Sequence, residues 1–451
     1  MGVRNLWGAE TARRMYKRIS GPSIPLGWLL TPQAFLLVPA LLSIVAWLIP
    51  GTGYLARGFS SRSHVSFLAA LLVLGWYELA VVAALAGAAA VSRFRARRGL
   101  VASSAEPRSI VELVPRRQYW FLTGLAAVGL LASLIYLNSQ YDVWQLVTTH
   151  QLNVLKNSLT HGPGIYTLRY TATLSGAIAI ERIVESRRLG RLDAANLLML
   201  ALAALLAGRL VILLMLTVVL CLEAARKPGI RIAISTLVLI AVAVFAALAP
   251  ISYLRTAGSY ESELGISNPV AIGGLQGIAY LGVPAQVEFG LTTAGVDGHL
   301  QPSTPTFGAA FDAILRPTYL GSAHGVGAVT TLPTDNYHGQ VNVANYDTTN
   351  SALADTYADY GFWGLALILI VLAIAGAAYT WLRSVGGMFV LAAGVVLYPF
   401  AEIWRIYLFN QGIIQYLALL AILVGLSIRF DLREMLAQSL RWVADVVERP
   451  R

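Results

Sequence analysis

The chain has 451 residues, of which 57% are hydrophobic and 12% are charged, and its mean hydropathy is +0.65. Soluble domains average about 25% charged residues, so this composition excludes a soluble globular protein and predicts a polytopic α-helical membrane protein. The formal net charge of +10 is a signal of membrane orientation, because basic residues concentrate on the cytoplasmic side, and we expect no nucleic-acid partner. The single cysteine, Cys221, excludes an intrachain disulfide and a thiolate metal cluster.

Apolar runs long enough to cross about 30 Å of hydrocarbon follow a basic N-terminal segment, 1–23. Basic segments recur after every second run, and the loop 92–118 alone carries seven arginines. The positive-inside rule therefore predicts that both termini and these basic loops are cytoplasmic. The predicted spans are 24–50, 65–91, 119–138, 165–184, 230–252, 358–382, 386–403 and 411–428, with one further apolar stretch at 194–224.

The stretch 194–224 is interrupted only by Arg209 and is longer than one span requires. As a single span it would put the basic loop 225–231 on the outer side, together with every later basic segment. Two short helices that fold back at Gly208-Arg209 keep both flanking loops cytoplasmic, so the charge pattern favours a hairpin with Arg209 at its outer tip. About fifteen residues of helix cover only about 22 Å, so we expect the tip to lie at the floor of a recess. The membrane helices within 24–252 then number seven, and the whole chain has about ten.

The protein carries its largest non-membrane segment on the predicted outer side, at 253–357. This segment is polar and rich in glycine and proline, and we interpret it as a large extracytoplasmic loop that contains short helices. A loop of this size suggests work on an extracytoplasmic substrate. The chain continues with three predicted membrane helices within 358–428, and the C-terminal segment 429–451 has apolar residues at helical spacing, which predicts an amphipathic cytoplasmic helix.

Few arginines lie on the predicted outer side, and several border the membrane. A guanidinium pairs bidentately with phosphate oxygens and stays protonated, so these residues are candidates for binding a lipid diphosphate. The alternative for each is contact with a lipid headgroup or a structural ion pair. The candidates are Arg209, Arg255, Arg169 and Arg405.

Transfer of a glycan from a lipid diphosphate also requires a base for the attacking hydroxyl. The sequence offers Glu261, Glu263, Glu288, Asp312, His324, Asp335, His338 and Asp347 in the large loop. Histidine is the usual base near neutral pH, which favours His338 and His324. Asp335, in the same polar stretch as His338, is a further candidate. No metal-binding motif or nucleotide-binding loop is present, so we expect neither a metal nor another cofactor.

The stretch Tyr357-Ala-Asp359-Tyr-Gly-Phe-Trp-Gly364 resembles the Tyr-x-Asp-Phe-Gly-x-x-Gly motif of O-antigen polymerases and related oligosaccharide repeat-unit polymerases. The chain is similar to that family in two further features, an arginine at the tip of a short helical hairpin and a large outer loop before this motif. The motifs cover residues 194–380, and the topology covers the whole chain. Tyr360 replaces the phenylalanine of the motif.

The resemblance implies a GT-C-like membrane glycosyltransferase that polymerises undecaprenyl-diphosphate-type lipid-linked oligosaccharides on the outer face of the bacterial cytoplasmic membrane. It implies that Arg209 and Arg255 hold the diphosphate, and it adds Asp359 to the catalytic candidates and Tyr346, Asn350 and Tyr357 to the glycan-binding ones. Implied partners are the lipid-linked oligosaccharide, membrane lipids, and flippase and chain-length regulator proteins.

Two alternatives remain at this stage. The related O-antigen ligases carry a His-Asn pair where this chain has Thr349-Asn350, which favours the polymerase over a ligase. A transporter or flippase of lipid-linked sugars is the other alternative, although the two halves of the chain show no repeat. Glu78 and Glu402, in or near predicted spans, have no role in this interpretation. The alternatives are partners within the helical bundle for both acids and, for Glu402, an ion pair with Arg405 or another outer arginine.

Overall fold

The structure is a computed structural model. It describes residues 22–49, 58–99, 109–142, 164–243, 264–300, 306–315, 341–343 and 351–429, together with the isolated positions 145, 148, 159, 246, 253, 261 and 302. The side chains of Ala207, Arg209 and Arg429 are not described.

The described part of the chain is almost entirely helical. The α-helices are α1 (Leu26–Leu29), α2 (Pro32–Leu48), α3 (Phe67–Arg97), α4 (Ile110–Leu113), α5 (Arg116–Gln140), α6 (Thr171–Ser186), α7 (Arg191–Ala207), α8 (Arg209–Arg226), α9 (Ile234–Ala243), α10 (Pro269–Val296), α11 (Phe307–Leu315), α12 (Ala352–Val385), α13 (Phe389–Leu397) and α14 (Gly412–Arg429). Two 3-10 helices, Gly164–Tyr170 and Tyr398–Glu402, precede α6 and follow α13, and two short strands are β1 (Ser23–Pro25) and β2 (Arg231–Ala233).

Four of these helices, α3, α5, α10 and α12, are long and apolar enough to cross a membrane. They and the apolar composition support the coarse prediction of an α-helical membrane protein. Helices α2, α9 and α14 are apolar but shorter. The count of ten spans therefore stays a prediction.

The stretch 194–224 folds as two helices, α7 and α8, which are separated by Gly208. The backbone of Gly208 has φ 82° and ψ −157°, a conformation that a residue with a Cβ rarely adopts, so the chain reverses there. Arg182 near the end of α6 pairs with Asp193 at the start of α7, while Arg226 at the end of α8 pairs with Glu181. The start of α7 and the end of α8 thus both lie at the C-terminal end of α6. The two helices therefore form the hairpin that the charge pattern favours.

Strands β1 and β2 form an antiparallel pair in which Ile24 lies opposite Ile232. Arg231 strengthens the pair by donating to the backbone oxygen of Ser23 at 2.6 Å. The start of the first predicted span and the loop after the hairpin are consequently at the same end of the bundle. A single span across 194–224 would have separated them by the length of a helix.

Helix α10 corrects the prediction for residues 253–357. We expected short helices within a large outer loop, but Pro269–Val296 is one continuous helix of 28 residues. More than half of the residues in its most apolar 18-residue stretch are buried. It begins with Asn268 as N-cap and Pro269 in the first turn, a strong helix-start combination, and it continues through Pro284. Its glycines and short polar residues allow it to pack against α2, α3 and α12. Packing against these helices therefore stabilises α10, although its hydropathy alone is a weak signal for a membrane helix.

The last part of the chain differs in detail from the predicted spans. Helix α12 starts six residues before the predicted span at 358 and contains a break at Gly361, while the predicted span 386–403 is the short helix α13 followed by a 3-10 turn. Helices α3 and α12 approach closely, because a Cβ on Gly87 or Gly376 would collide with the backbone of the other helix. Such small-residue contacts are typical of helix pairs in membranes.

Candidate functional site

The tip of the α7–α8 hairpin marks one end of a helical bundle, and three of the four predicted diphosphate-binding arginines lie in described positions at that end. Helix α6 runs antiparallel to α7, since Arg182 pairs with Asp193 and Gly176 packs on Leu200. Continuing this register places the residues just before α6 at the level of Gly208. Arg169, in the 3-10 helix that precedes α6, therefore lies level with the hairpin tip.

The turn before Arg405 lies at the same end. Helix α13 runs antiparallel to α8, because Gly394 lies against the backbone of Val218 and Val390 lines a small cavity with Cys221. The 3-10 helix after α13 contacts α8, so the turn Glu402–Arg405 that follows reaches the level of the hairpin tip. For Arg209 the structure gives only the backbone, which forms the first residue of α8.

Arg169 is a buried arginine with no carboxylate partner among the described residues. Only 4% of its surface is exposed. Its Nη1 donates to the backbone oxygen of Tyr166 at 2.7 Å, its Nη2 donates to the hydroxyl of Tyr170 at 3.1 Å, and its guanidinium lies 4.6 Å from the centre of the Tyr170 ring. Within the described part of the chain, the buried Nε has no hydrogen-bond partner. A buried guanidinium whose charge is not compensated is costly, and an anion that accepts from Nε would reduce that cost.

Gly129 allows the backbone of Arg169 to lie directly against α5. A Cβ at position 129 would lie 2.1 Å from the backbone nitrogen of Arg169, so only glycine allows the 3-10 helix to press against α5. Position 129 is near the middle of α5, which is one of the four helices that could cross a membrane. Arg169 thus lies at about half the length of α5, which agrees with a site at the floor of a recess.

Arg405 differs from Arg169, because its charge is already compensated. Its Nε and Nη2 donate to the same Glu402 oxygen at 2.9 and 2.6 Å, and its guanidinium lies 4.3 Å from the centre of the Tyr280 ring. Burial would lower the pKa of Arg405, but the Glu402 carboxylate together with the neighbouring Tyr280 and Tyr398 outweighs that effect, so the pKa lies above its ordinary value. The pair weakens the prediction that Arg405 binds diphosphate, and it is one of the alternatives that the sequence left open for Glu402.

The motif around Asp359 builds the broken start of α12. Asp359 is 2% exposed and lies on the short segment that precedes Gly361. Gly361 has φ 60° and ψ −147°, a region that is essentially restricted to glycine. Tyr357, predicted to bind glycan, packs its ring 5.3 Å from Trp76 and 5.6 Å from Phe362. These are the contacts of a helix-packing residue, and a glycan-binding role for Tyr357 stays a prediction.

A second buried polar group lies beside the start of α12. Glu288 of α10 is 3% exposed, and it accepts hydrogen bonds from the hydroxyl of Tyr77 at 3.1 Å and from the hydroxyl of Ser351 at 2.9 Å. No cation pairs with it among the described residues. Ser351 is also the N-cap of α12, so Glu288 joins α3, α10 and α12 at one point.

Gln286 connects α10 to the segments around it. Its amide nitrogen donates to the backbone oxygens of Ser61 and Val341 at 2.8 and 2.7 Å, and its amide oxygen accepts from the indole of Trp47 at 2.6 Å. The segments 58–66 and 341–343 are thereby fixed on α10. Residues 341–343 lead directly to the predicted glycan-binding positions.

Six predicted site residues lie outside the described part of the chain. They are the catalytic candidates His338, His324 and Asp335, the diphosphate candidate Arg255, and the glycan candidates Tyr346 and Asn350. Of the two acids without a role in the sequence interpretation, Glu402 pairs with Arg405, and Glu78 lies on an exposed face of α3.

Sequence reasoning missed Gln286, Tyr280 and the structural role of Glu288. The signal that could have found them is the pattern 280–288, where an apolar run is interrupted by Gln and Glu after Pro284. Polar side chains inside an apolar helix are expected to meet partners in the protein interior.

Comparisons with protein-family models, with curated proteins and with solved structures found no match to this chain. The functional conclusion therefore depends on the residues and geometry above.

Proposed function

We propose that the chain is a ten-span glycosyltransferase of the bacterial cytoplasmic membrane, with its site facing the extracytoplasmic side, and that it polymerises lipid-diphosphate-linked oligosaccharide repeat units into a cell-surface polysaccharide. The observation that carries the proposal is Arg169, a buried guanidinium without a carboxylate partner in the described residues, level with the tip at Arg209. A lipid diphosphate supplies two adjacent phosphate groups at the depth of a membrane site, and it would provide the negative charge that no described residue supplies to Arg169.

In the proposed reaction the growing chain on its lipid diphosphate is the donor. The bond between the anomeric carbon and the diphosphate oxygen breaks, and a bond forms to a hydroxyl oxygen of the next lipid-linked repeat unit. The proton of that hydroxyl passes to a base of the outer segment, for which His338, His324 and Asp335 are the candidates, with Asp359 as a buried acid nearby in sequence. Arg169, Arg209 and Arg255 hold the leaving diphosphate as its charge increases.

Reconstitution into proteoliposomes with a polyprenyl-diphosphate oligosaccharide tests this proposal. We expect a ladder of longer products from the unaltered protein, loss of the ladder in Arg209→Ala and in Arg169→Gln, and a weakened ladder with a raised donor KM in Arg169→Lys, which keeps the charge but not the planar fork. The control Arg97→Gln removes an exposed arginine at the C-terminal end of α3, on the predicted cytoplasmic side, and is expected to polymerise normally. A ladder that Arg169→Gln and Arg209→Ala leave unchanged would contradict the mechanism.

Transport of a lipid-linked sugar is the second candidate. Buried Glu288, held by two hydroxyl groups inside a helix that could cross a membrane, is the kind of carboxylate found in proton-coupled transporters. Movement of the lipid-linked oligosaccharide between leaflets without any ladder would favour this alternative. Transfer of the glycan once to a different acceptor would favour a ligase.

A further inference from the structure

A basic groove lies at the end of the bundle opposite to the hairpin tip. Its cavity of about 550 Å³ lies between the starts of α5 and α7 and the end of α6, and it is lined by Arg116, Trp120, Arg182, Gly190, Arg191, Leu192 and Asp193. This volume is within the range of about 300–1,000 Å³ that is usual for small-molecule sites. The charge pattern predicts that this end is cytoplasmic.

The groove has an excess of positive charge that the described residues do not neutralise. Asp193 is engaged inward, where it accepts from the hydroxyl of Tyr119 at 2.9 Å and from Nε of Arg182 at 3.2 Å. Arg116 and Arg191 have no carboxylate partner in the described part of the chain. They are also the first residues of α5 and α7, so two helix N-termini add partial positive charge at the same place. The arrangement suits a phosphate group.

The surface beyond the groove is apolar and accessible. On one face of α5, Trp120, Val128, Leu131 and Ile135 are each half or more exposed, and a Cβ on Gly124 between them would meet no described atom within 4 Å. On α7, Leu198 is also mostly exposed, two turns beyond Arg191. A phosphate in the groove would therefore have a hydrocarbon-compatible strip of about 20 Å leading away from it, along which fifteen residues of α5 extend.

From this geometry we propose that the groove binds the headgroup of an anionic phospholipid, with an acyl chain lying along the Trp120–Ile135 face of α5. Basic pockets between membrane helices on the cytoplasmic side bind lipid phosphates in general, and the apolar strip favours a phospholipid over a free phosphate. This lipid is separate from the lipid-diphosphate donor, whose proposed site is at the other end of α6. The inference is independent of the proposed reaction.

Thermal unfolding of the purified full-length protein in detergent, titrated with phosphatidylglycerol, tests the proposal. We expect a saturable rise in Tm with phosphatidylglycerol and little or none with phosphatidylcholine or inorganic phosphate. The double variant Arg116→Gln/Arg191→Gln is expected to need about ten-fold more phosphatidylglycerol for the same rise. The control Arg93→Gln/Arg97→Gln removes two exposed arginines outside the groove and is expected to respond like the unaltered protein.

Gly124→Leu supplies a test that leaves every charge in place. The added side chain occupies the strip without colliding with the protein, so we expect weaker binding of phosphatidylglycerol in a normally folded protein, and this variant decides the question if the double arginine variant does not fold. An equal response of groove and control variants, or a normal response of Gly124→Leu, would overturn the proposal. Saturation by inorganic phosphate at similar concentrations would also overturn it, because it would indicate a site for free anions.

Discussion

At the scale of single residues, two arginines of the same predicted class have opposite electrostatic surroundings. Arg405 is bound by a carboxylate three residues away, whereas the partners of Arg169 among the described residues are a carbonyl oxygen, a hydroxyl group and an aromatic ring. The sequence gives both residues as outer arginines near a membrane boundary. Only the structure separates an arginine that is paired with a carboxylate from one that has no carboxylate partner among the described residues.

We predict that Arg169→Met abolishes glycan polymerisation and raises the thermal stability of the ligand-free protein by about 2 °C or more. A buried charge without a partner is destabilising, and an apolar side chain of similar length removes its desolvation cost. The measurement is thermal unfolding in detergent, beside the ladder assay. A clear drop in Tm would show that Arg169 is a structural residue, and it would remove the main support for a ligand at this position.

The Glu402–Arg405 pair is predicted to behave as a unit. Glu402→Gln leaves the largely buried guanidinium of Arg405, whose side chain is 14% exposed, without its carboxylate, and it is expected to cost about 3 kcal/mol of unfolding free energy. The double variant Glu402→Gln/Arg405→Met is expected to recover most of that loss. Chemical denaturation of the four proteins of this double-mutant cycle checks the prediction. Additive effects of the two substitutions would show that the pair is not coupled.

At the scale of elements, helix α12 is broken within the stretch 357–364, and its start lies beside the Glu402–Arg405 turn, because the backbone nitrogen of Ala352 donates to the backbone oxygen of Ile403 at 3.1 Å. Gly361 interrupts α12 two residues after Asp359, and a Cβ there would also press against Pro302 at 3.3 Å. The break gives the first nine residues of α12, which carry buried Asp355 and Asp359, an orientation of their own. The glycine of the motif thus has a conformational role, the break in α12, that the sequence of the motif alone did not reveal.

We predict that Gly361→Ala costs about 1–3 kcal/mol of stability, because alanine is strained at this φ and ψ, and that it reduces polymerisation by displacing Asp359. Gly75→Ala is the matched control, since Gly75 lies in regular helix and no described atom lies within 4 Å of a Cβ added there. Thermal unfolding and the ladder assay should separate the two variants. Equal behaviour of both would contradict a conformational role for Gly361.

Sequence patterns anticipated the elements whose signals are local and repeated. The hairpin at Gly208 followed from the side on which basic loops must lie, and the long apolar runs located α3, α5 and α12. Helix α10 was missed, because its apolar residues are diluted by glycine and polar side chains whose partners come from distant segments, such as Trp47 for Gln286. The pairing of Glu402 with Arg405 was an open alternative, since spacing alone cannot decide between a partner within the protein and a ligand.

At the scale of the whole molecule, the bundle has two ends of different chemistry. One end holds the β1–β2 pair, the ion pairs of Arg226 with Glu181 and Glu185, and the basic groove. The other end holds the hairpin tip, Arg169 and the Glu402–Arg405 turn. The proposed reaction belongs to the second end, and the proposed phospholipid site belongs to the first.

Labelling with a membrane-impermeant thiol reagent tests whether these two ends face opposite sides of a membrane. In a Cys221→Ser background, we predict that Ser60→Cys reacts in intact cells, since position 60 is exposed beyond the far end of α2. Lys227→Cys, at the end of α8 that lies beside β1, is predicted to react only after permeabilisation. Reaction of both positions from the same side would contradict the orientation.

The central proposal is that the buried guanidinium of Arg169 binds the diphosphate of the lipid donor. Equilibrium binding of a polyprenyl diphosphate to the protein in nanodiscs tests it most directly. The account predicts that Arg169→Gln binds this lipid roughly 10- to 100-fold more weakly, as expected for the loss of a charge-assisted hydrogen bond, while Arg97→Gln retains the original Kd. An Arg169→Gln protein that binds the diphosphate lipid with unchanged Kd would contradict the account.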